Sequence, residues 1–230
     1  MKKLVKRFIF YFLIALLFIV AYFVYVYNDL TAISKGYPIP EYGVTKTAVL
    51  VIDIQEGYTG MYAKEDTHSK QAKALIENTN RVISAAYEAG IQVLYIQQQT
   101  ENWLINWLDG GSMAEGSPAV EIDQRVKIVS LHQFKKRKSD AFSSHDMDVF
   151  LNEMQINRLI ITGLDMAGCA YNTSQAALNR GYEVFVIEEA VISSSDELKQ
   201  EKLVELSQAG AIVLSVEDLP DLISMQTIPD

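Results

Sequence analysis

Residues 158–173 read RLIITGLDMAGCAYNT and contain the only cysteine of the chain, Cys169. The stretch begins with apolar, mostly β-branched residues, passes through Gly163 into a turn of small residues, and continues with a helical pattern. A strand, a tight turn and a helix in this order direct backbone N–H groups and the positive end of the helix dipole to one point. We therefore predict that Cys169 is a nucleophile with a lowered thiol pKa. The alternative is that it is a small buried hydrophobic residue.

Apolar runs of strand length alternate with helical patterns on both sides of this stretch. The predicted strands cover residues 48–54, 91–97, 126–131, 159–164, 182–187 and 211–216. The predicted helices cover residues 64–89, 147–154, 169–179 and 197–208. This alternation predicts a three-layer, doubly wound α/β fold with a mainly parallel six-stranded sheet in the order 3-2-1-4-5-6.

In such a sheet, ligands bind beyond the carboxyl ends of strands one and four, where the winding direction reverses. Asp53 lies near the end of the first apolar run, AVLVIDI, and Cys169 follows the fourth strand. A carboxylate at the end of a buried strand is costly unless it is paired or used in chemistry. The two side chains are therefore predicted to meet at one crevice.

The composition is that of a globular protein, with 49% apolar and 21% charged residues. Acidic residues outnumber basic ones by 29 to 20, and four of the basic residues precede position 8. A basic surface for nucleic acid is therefore not expected. A single cysteine forms no internal disulfide, so cysteine usage does not indicate a redox compartment.

Residues 8–27, FIFYFLIALLFIVAYFVYVY, contain no charge, glycine or proline. As a helix this run is about 30 Å long, the thickness of the hydrocarbon core of a bilayer. It exceeds the apolar region of a signal peptide, and only residues 32–34 (AIS) weakly resemble a cleavage site, so we predict a retained transmembrane anchor. The cations at positions 2, 3, 6 and 7 place the N-terminus in the cytoplasm and the rest of the chain outside it.

The chain is thus divided into a basic tip with its anchor at residues 1–27, a linker at residues 28–45 and a folded domain at residues 46–230. The linker is short and contains two prolines and two glycines. Such a composition is typical of a stiff tether.

Four segments of the domain resemble the isochorismatase-like cysteine hydrolases, the superfamily of nicotinamidases and N-carbamoyl amidases. The segments are AVLVIDIQ with Asp53, KRKSDAF with Lys136, LIITGLDMAGCAYNT with Cys169, and ALNRGYEVFVIEEAV at residues 177–191. Their order and spacing match over about residues 45–216. The resemblance implies a hydrolase that acts on a small amide or carbamoyl compound and needs no cofactor.

The resemblance also implies the role of each residue. In the family, the catalytic lysine lies six residues before a phenylalanine, and Phe142 therefore indicates Lys136. The neighbouring Lys135 is the alternative. If neither lysine is catalytic, this basic run is a solvated surface. Asp53 would take the thiol proton from Cys169, and the Lys136 ammonium would favour the thiolate.

In similar proteins, two backbone amides stabilise the oxyanion. Here they would be the amides of Asp165 and Cys169, with a cis peptide between Leu164 and Asp165. Met166 and Ala167 stand where relatives commonly have Thr-Asp, and an acidic side chain occupies position 165. These departures put the substrate preference, and to a lesser extent the activity, in question.

Gln98, Trp103 and Trp107 follow the second strand and are predicted to line the substrate pocket, although tryptophans in a loop serve equally often for packing. Nicotinamidases carry a metal-binding aspartate and paired histidines in this region. The three histidines of this chain do not have that arrangement, so no metal is predicted.

The leading hypothesis is a membrane-anchored cysteine amidohydrolase that acts outside the cytoplasm. The alternatives are a vinyl-ether hydrolase of the isochorismatase type, in which the cysteine is dispensable, and a catalytically silent, membrane-tethered binding domain. The substrate, and whether the chain forms a homo-oligomer, remain open.

Overall fold

The computed structural model describes residues 2–64 and 67–224. Its strands are β1 (Thr47–Ile52), β2 (Gln92–Gln98), β3 (Gln133–Lys136), β4 (Arg158–Gly163), β5 (Glu183–Val191) and β6 (Ile212–Leu214). All pairings are parallel, and the strand order is β3-β2-β1-β4-β5-β6. The predicted fold class and strand order are confirmed.

The helices lie on both faces of the sheet, apart from the N-terminal one. They are α1 (Lys2–Thr31), α2 (Thr67–Glu88), α3 (Trp103–Leu108), α4 (His145–Glu153), α5 (Cys169–Asn179), α6 (Asp196–Gln208) and α7 (Leu219–Ser224). Short 3₁₀ helices occupy Pro118–Val120, Ala141–Ser143 and Val216–Asp218. Residues 65 and 66 of the predicted helix 64–89, and residues 225–230 of the predicted domain, lie outside the described residues.

Two apolar layers hold the helices to the sheet. Every residue of β1 is buried, as expected for a central parallel strand. Leu50 and Ile52 face α4, α5 and α6, whereas Val49 and Val51 face α2 and α7. Both faces of the central strands are covered, and the polar residues Asp53 and Lys136 lie where their strands end.

The predicted third strand, residues 126–131, is wrong, because the third strand begins at Gln133. The earlier segment lies beside β2 but bonds to it through side chains. The Tyr95 hydroxyl donates to Lys127 O at 2.8 Å and accepts from Val129 N at 3.0 Å, and Ser130 Oγ donates to Val93 O at 2.5 Å. The observed strand β3 includes the first two residues of the basic run, Lys135 and Lys136.

Close contact between β1 and β4 occurs at Gly163, which pairs with Ile52 and has φ 110°. A Cβ atom at this position would lie 2.0 Å from Ile52 O. Only glycine therefore allows β1 and β4 to come together at the end where Asp53 and the turn after residue 163 emerge.

The N-terminal helix α1 includes the predicted anchor and extends beyond it to Thr31. Among the described residues, it is the one helix long and apolar enough to cross a membrane. The chain then lies along the domain, where Ser34 N donates to Asp140 Oδ2 and Ile39 N donates to Arg180 O, each at 2.8 Å. The segment predicted as a linker is thus helical at its start and packed against the domain afterwards.

Candidate active site

The side chains of Asp53, Lys136 and Cys169 meet at the carboxyl end of the sheet. Lys136 Nζ lies 2.9 Å from Asp53 Oδ2 and 3.1 Å from Cys169 Sγ. Asp53 follows β1, Lys136 ends β3 and Cys169 begins α5, and these three positions come together only in the folded sheet. Cys169 is half-buried at this edge of the sheet.

Asp53 is the first residue after β1 and has a left-handed backbone conformation, with φ 55°. Aspartate tolerates this conformation better than most residues. Its amide donates to Ile96 O at 2.9 Å, which fixes the turn against β2. Among the described residues, its buried Oδ1 atom accepts no hydrogen bond, so that oxygen remains able to take a proton.

Lys136 is the last residue of β3 and is only 1% exposed. Besides Asp53 and Cys169, its ammonium group contacts Gln98 Oε1 at 2.5 Å and Lys138 O at 3.2 Å. Lys135, the alternative considered from sequence, is exposed. Side chains alternate along a strand, so the two lysines point to opposite faces and only Lys136 reaches the cysteine.

Cys169 is the first residue of α5, and no side chain caps this end of the helix. The peptide bond between Leu164 and Asp165 is cis, as predicted. In the part of the chain that the structure describes, neither the Asp165 amide nor the Cys169 amide donates a hydrogen bond. Two free N–H groups and the positive end of a helix are the features expected of an oxyanion site.

The acidic side chain at position 165 is turned into a hydrogen-bond network. Asp165 Oδ1 accepts from Ala167 N at 2.8 Å and from Ser193 Oγ at 2.7 Å, and Oδ2 lies 3.0 Å from His68 Nε2. Burial alone would raise the Asp165 pKa, but these hydrogen bonds lower it overall. The carboxylate thus holds the turn before Cys169 in place.

The pKa values of the three central groups are shifted together. Burial raises the pKa of Asp53, although Lys136 partly offsets this, and burial beside Asp53 raises the pKa of Cys169 to about 12. Burial would lower the pKa of Lys136, but the charges of Asp53 and Cys169 raise it overall. The raised pKa of Cys169 is opposite to the lowered thiol pKa expected from the sequence, because burial and the charge of Asp53 outweigh the Lys136 cation.

The three residues predicted to line the substrate pocket differ in their surroundings. The side-chain oxygen of Gln98 accepts a hydrogen bond from Lys136 Nζ at 2.5 Å. The backbone N–H of Gln98 donates to Gln55 Oε1 at 2.8 Å. Trp103 and Trp107 lie on α3 and are 73% and 74% exposed. Neither tryptophan has a described hydrogen bond or ring contact, so their role toward substrate stays a prediction.

Tyr58, in the loop after β1, is a candidate that sequence reasoning missed. Its pKa is raised well above the ordinary value, first by burial and then by the negative charges of Asp53, Cys169 and Asp109. The phenol therefore lies near the reacting groups and is protonated at neutral pH. An aromatic residue in a polar loop gave no signal for this placement.

Within residues 2–64 and 67–224, no three His, Cys, Asp or Glu side chains are grouped closely enough to bind a metal ion. The prediction that no metal is needed stays a prediction.

Comparison with known proteins gives a consistent result. The family description "Isochorismatase domain" matches residues 47–218. A secreted isochorismatase effector from Phytophthora sojae is 25% identical over 171 residues, which cover 74% of this chain and 73% of the relative. Nicotinamidase 3 from Arabidopsis thaliana is 22% identical over 180 residues, which cover 75% and 86%.

Solved structures share the fold. The N-carbamoylsarcosine amidase from Thermoplasma acidophilum superposes with a TM-score of 0.63 at 22% sequence identity, covering 75% of this chain and 98% of that one. The segment outside the match includes α1, so the apolar helix is an addition to the shared domain.

Proposed function

Since the chain belongs to the isochorismatase family, we propose that it is a membrane-anchored cysteine hydrolase that cleaves a C–N bond of a small amide or carbamoyl compound. The observation that supports this most directly is the contact of the Lys136 ammonium group with both Asp53 and Cys169. A carboxylate, an ammonium group and a thiol in contact are the groups that acyl transfer through a thioester requires.

In the first step, the Cys169 thiol transfers its proton to Asp53. Burial makes Asp53 a stronger base than an exposed aspartate, because it raises the carboxyl pKa. The Lys136 ammonium, 3.1 Å from the sulfur, stabilises the thiolate that forms. In this proposal the thiol is activated by transfer of its proton to Asp53 and not by a lowered pKa of its own.

In the second step, the thiolate attacks the carbonyl carbon and a tetrahedral oxyanion forms. The free amides of Asp165 and Cys169 are suited to donate to this oxygen, and the N-terminal end of α5 favours the negative charge. Asp53 then gives its proton to the departing nitrogen, and the amine leaves.

In the third step, water hydrolyses the thioester, with Asp53 as the general base that accepts the water proton. The acid is released and the thiol is restored when Asp53 returns this proton to the sulfur. Gln98 supports each step indirectly, because its side-chain oxygen holds the ammonium group of Lys136 at 2.5 Å.

The test is a panel of small primary amides and N-carbamoyl compounds, with released ammonia as the signal. We expect turnover by the parent chain, and replacement of Cys169→Ala should abolish it. Turnover that persists at the parental rate in this variant would remove the nucleophile assignment and favour a reaction that does not use the cysteine.

A catalytically silent domain is the second candidate, and the raised pKa of Cys169 is the observation that favours it. The two functions differ in what happens to the sulfur when an amide is present. An enzyme forms a thioester at Cys169 that denaturing mass spectrometry detects after a rapid acid quench, whereas a binding domain leaves the thiol unmodified.

The anchoring part of the proposal rests on α1 and on the four cations that precede its apolar run. We expect the chain to stay with membranes after carbonate extraction. A protease is added outside cells whose plasma membrane is intact. It should digest the domain if the N-terminus is cytoplasmic. Protection of the domain would reverse the proposed orientation.

A further inference from the structure

The end of α1 is attached to the loop beside the candidate active site. Asp29, in the last turn of this helix, pairs with Lys138 at 2.5 Å, and Ser139 N donates to Leu30 O at 2.8 Å. Lys138 O in turn accepts from Lys136 Nζ at 3.2 Å. One residue of the loop therefore contacts both the end of the anchor and the buried lysine.

This attachment fixes the height of the site above a bilayer. The apolar run of α1 ends at Tyr27, and Asp29 follows two residues later, a rise of about 3 Å along a helix. If α1 spans the membrane, the loop at residues 138–140 lies at the level of the lipid headgroups. The carboxyl edge of the sheet, and not its opposite edge, then faces the membrane.

The contacts that follow α1 keep the domain in this orientation. Asn172 Nδ2, one turn after the cysteine in α5, donates to Thr31 O at 3.3 Å. Ser34 N donates to Asp140 Oδ2 at 2.8 Å. A segment that is hydrogen-bonded to the domain at several positions does not act as a flexible linker.

The same edge carries an exposed aromatic surface on α3. Trp103 and Trp107 are four residues apart, which places them on one face of the helix, and Leu108 beside them is also exposed. The residue before its N-cap, Glu101, pairs with Arg137, which adjoins Lys138. α3 is thus tied to the loop that holds the end of α1. We call Trp103, Trp107 and Leu108 the α3 surface.

We propose that the α3 surface rests on the phospholipid surface in which α1 is anchored, so that the active site opens at the membrane–water interface. Tryptophan is enriched at this level of a bilayer, because its ring is apolar and its N–H remains in contact with water. The inference depends on the membrane anchoring proposed above.

The chain offers a direct probe, since Trp103 and Trp107 are its only tryptophans. The full chain is reconstituted into phosphatidylcholine vesicles, with and without bromine atoms on the acyl chains near the headgroups. Bromine quenches tryptophan only at short range. We expect brominated vesicles to reduce the emission roughly twofold or more, as for aromatic residues at an interface.

The matched control moves the reporter to the other edge of the sheet. Both tryptophans are replaced by phenylalanine and Tyr87→Trp is introduced, because Tyr87 is 62% exposed near the end of α2, at the opposite edge. This emission should be unchanged by bromine. Equal quenching at both positions would contradict the proposed orientation.

Vesicle flotation in the same samples separates the two proposals. A chain that does not float with vesicles refutes the anchor, and the inference with it, whereas hydrolysis of a soluble amide still tests the chemistry. A chain that floats but shows unquenched tryptophans refutes the inference alone. If the same tryptophans are also shielded from a soluble quencher and the chain crosslinks to itself, the α3 surface binds a second copy instead of lipid.

Discussion

Lys136 and Lys135 are adjacent lysines with opposite surroundings, which makes them a matched pair. Replacing Lys136→Ala removes the ammonium group that contacts both Asp53 and Cys169. We expect kcat/KM for a responsive amide to fall by roughly 10³-fold, the range for loss of an electrostatic catalytic group. Lys135→Ala should leave it unchanged. Equal losses in the two variants would contradict the assignment.

In the proposed mechanism, Asp53 must be ionised to accept the thiol proton, so we expect it to determine the acid side of the pH profile. Burial raises its pKa above the ordinary value of 3.8, so it becomes protonated at a higher pH than an exposed aspartate does. We expect kcat/KM to fall as the pH drops through this raised value. An acid limb at or below 3.8, measured where the chain is still folded, would contradict it.

The reactivity of Cys169 in the free enzyme follows from the same network. Burial raises its pKa to about 12, so little thiolate is present at neutral pH. We expect alkylation by iodoacetamide to be slow near pH 7 and to accelerate steadily as the pH rises. Fast alkylation near neutral pH would contradict the raised pKa and support the lowered thiol pKa expected from the sequence.

Sequence reasoning predicted that these side chains meet at one edge of the sheet but not their charge states. Asp53 and Cys169 were found because the ends of parallel strands meet at one edge. Whether the thiol pKa is raised or lowered depends on how deeply the sulfur is buried. Burial cannot be read from the spacing of residues in the sequence. Tyr58 was missed for the same reason, since only the folded loop brings its phenol near the reacting groups.

The turn between β4 and α5 depends on the Asp165 carboxylate, which accepts hydrogen bonds from Ala167 N and Ser193 Oγ. Asp165→Ala should lower the free energy of unfolding by about 1–3 kcal/mol, the range for hydrogen bonds to a charged group. Because the pKa of Asp165 is lowered in the fold, this contribution is present above the unfolded pKa and lost as the pH falls through the folded one.

Denaturant unfolding at neutral and acidic pH measures this effect, with Glu153→Ala, an exposed acid at the end of α4, as the control. An Asp165 variant as stable as the control at neutral pH would mean that the carboxylate does not support the turn.

The contact between β1 and β4 is sensitive to a single methyl group. In Gly163→Ala the new Cβ would lie 2.0 Å from Ile52 O at a φ of 110°. We expect a loss of roughly 3 kcal/mol or more in the free energy of unfolding, because the backbone of two central strands must separate. Gly43→Ala, where no atom lies within 4 Å of the new methyl, should be neutral.

The central strands and the edge strand β6 were predictable, whereas the edge strand β3 was not. Central strands are apolar on both faces and stand out in the sequence, as in β1. β3 reads QFKK, since one of its faces is exposed and its last residue is a buried lysine held by polar partners. Because β3 is not an apolar run, a prediction based on hydrophobicity assigned the strand to the earlier apolar residues 126–131.

The segment between α1 and the sheet contributes to the stability of the domain. Its contacts include the hydrogen bonds of Ser34 to Asp140 and Ile39 to Arg180, and Ile39 packs on the core. We expect a chain that begins at residue 46 to be less stable by about 2 kcal/mol than one that begins at residue 32, because each lost bond contributes about 1 kcal/mol. Identical unfolding curves would show that the segment is a passive spacer.

The four acceptors around Lys136 have a chemical consequence for the proposed thioester. The Lys136 nitrogen lies 3.1 Å from the sulfur, so an unprotonated amine there could attack the thioester. The product would be a stable amide on the lysine, and the protein would be inactivated. The raised pKa keeps that nitrogen fully protonated, so it has no lone pair with which to attack. In the proposed mechanism, the network that activates the sulfur would therefore also protect the protein from acylating its own lysine.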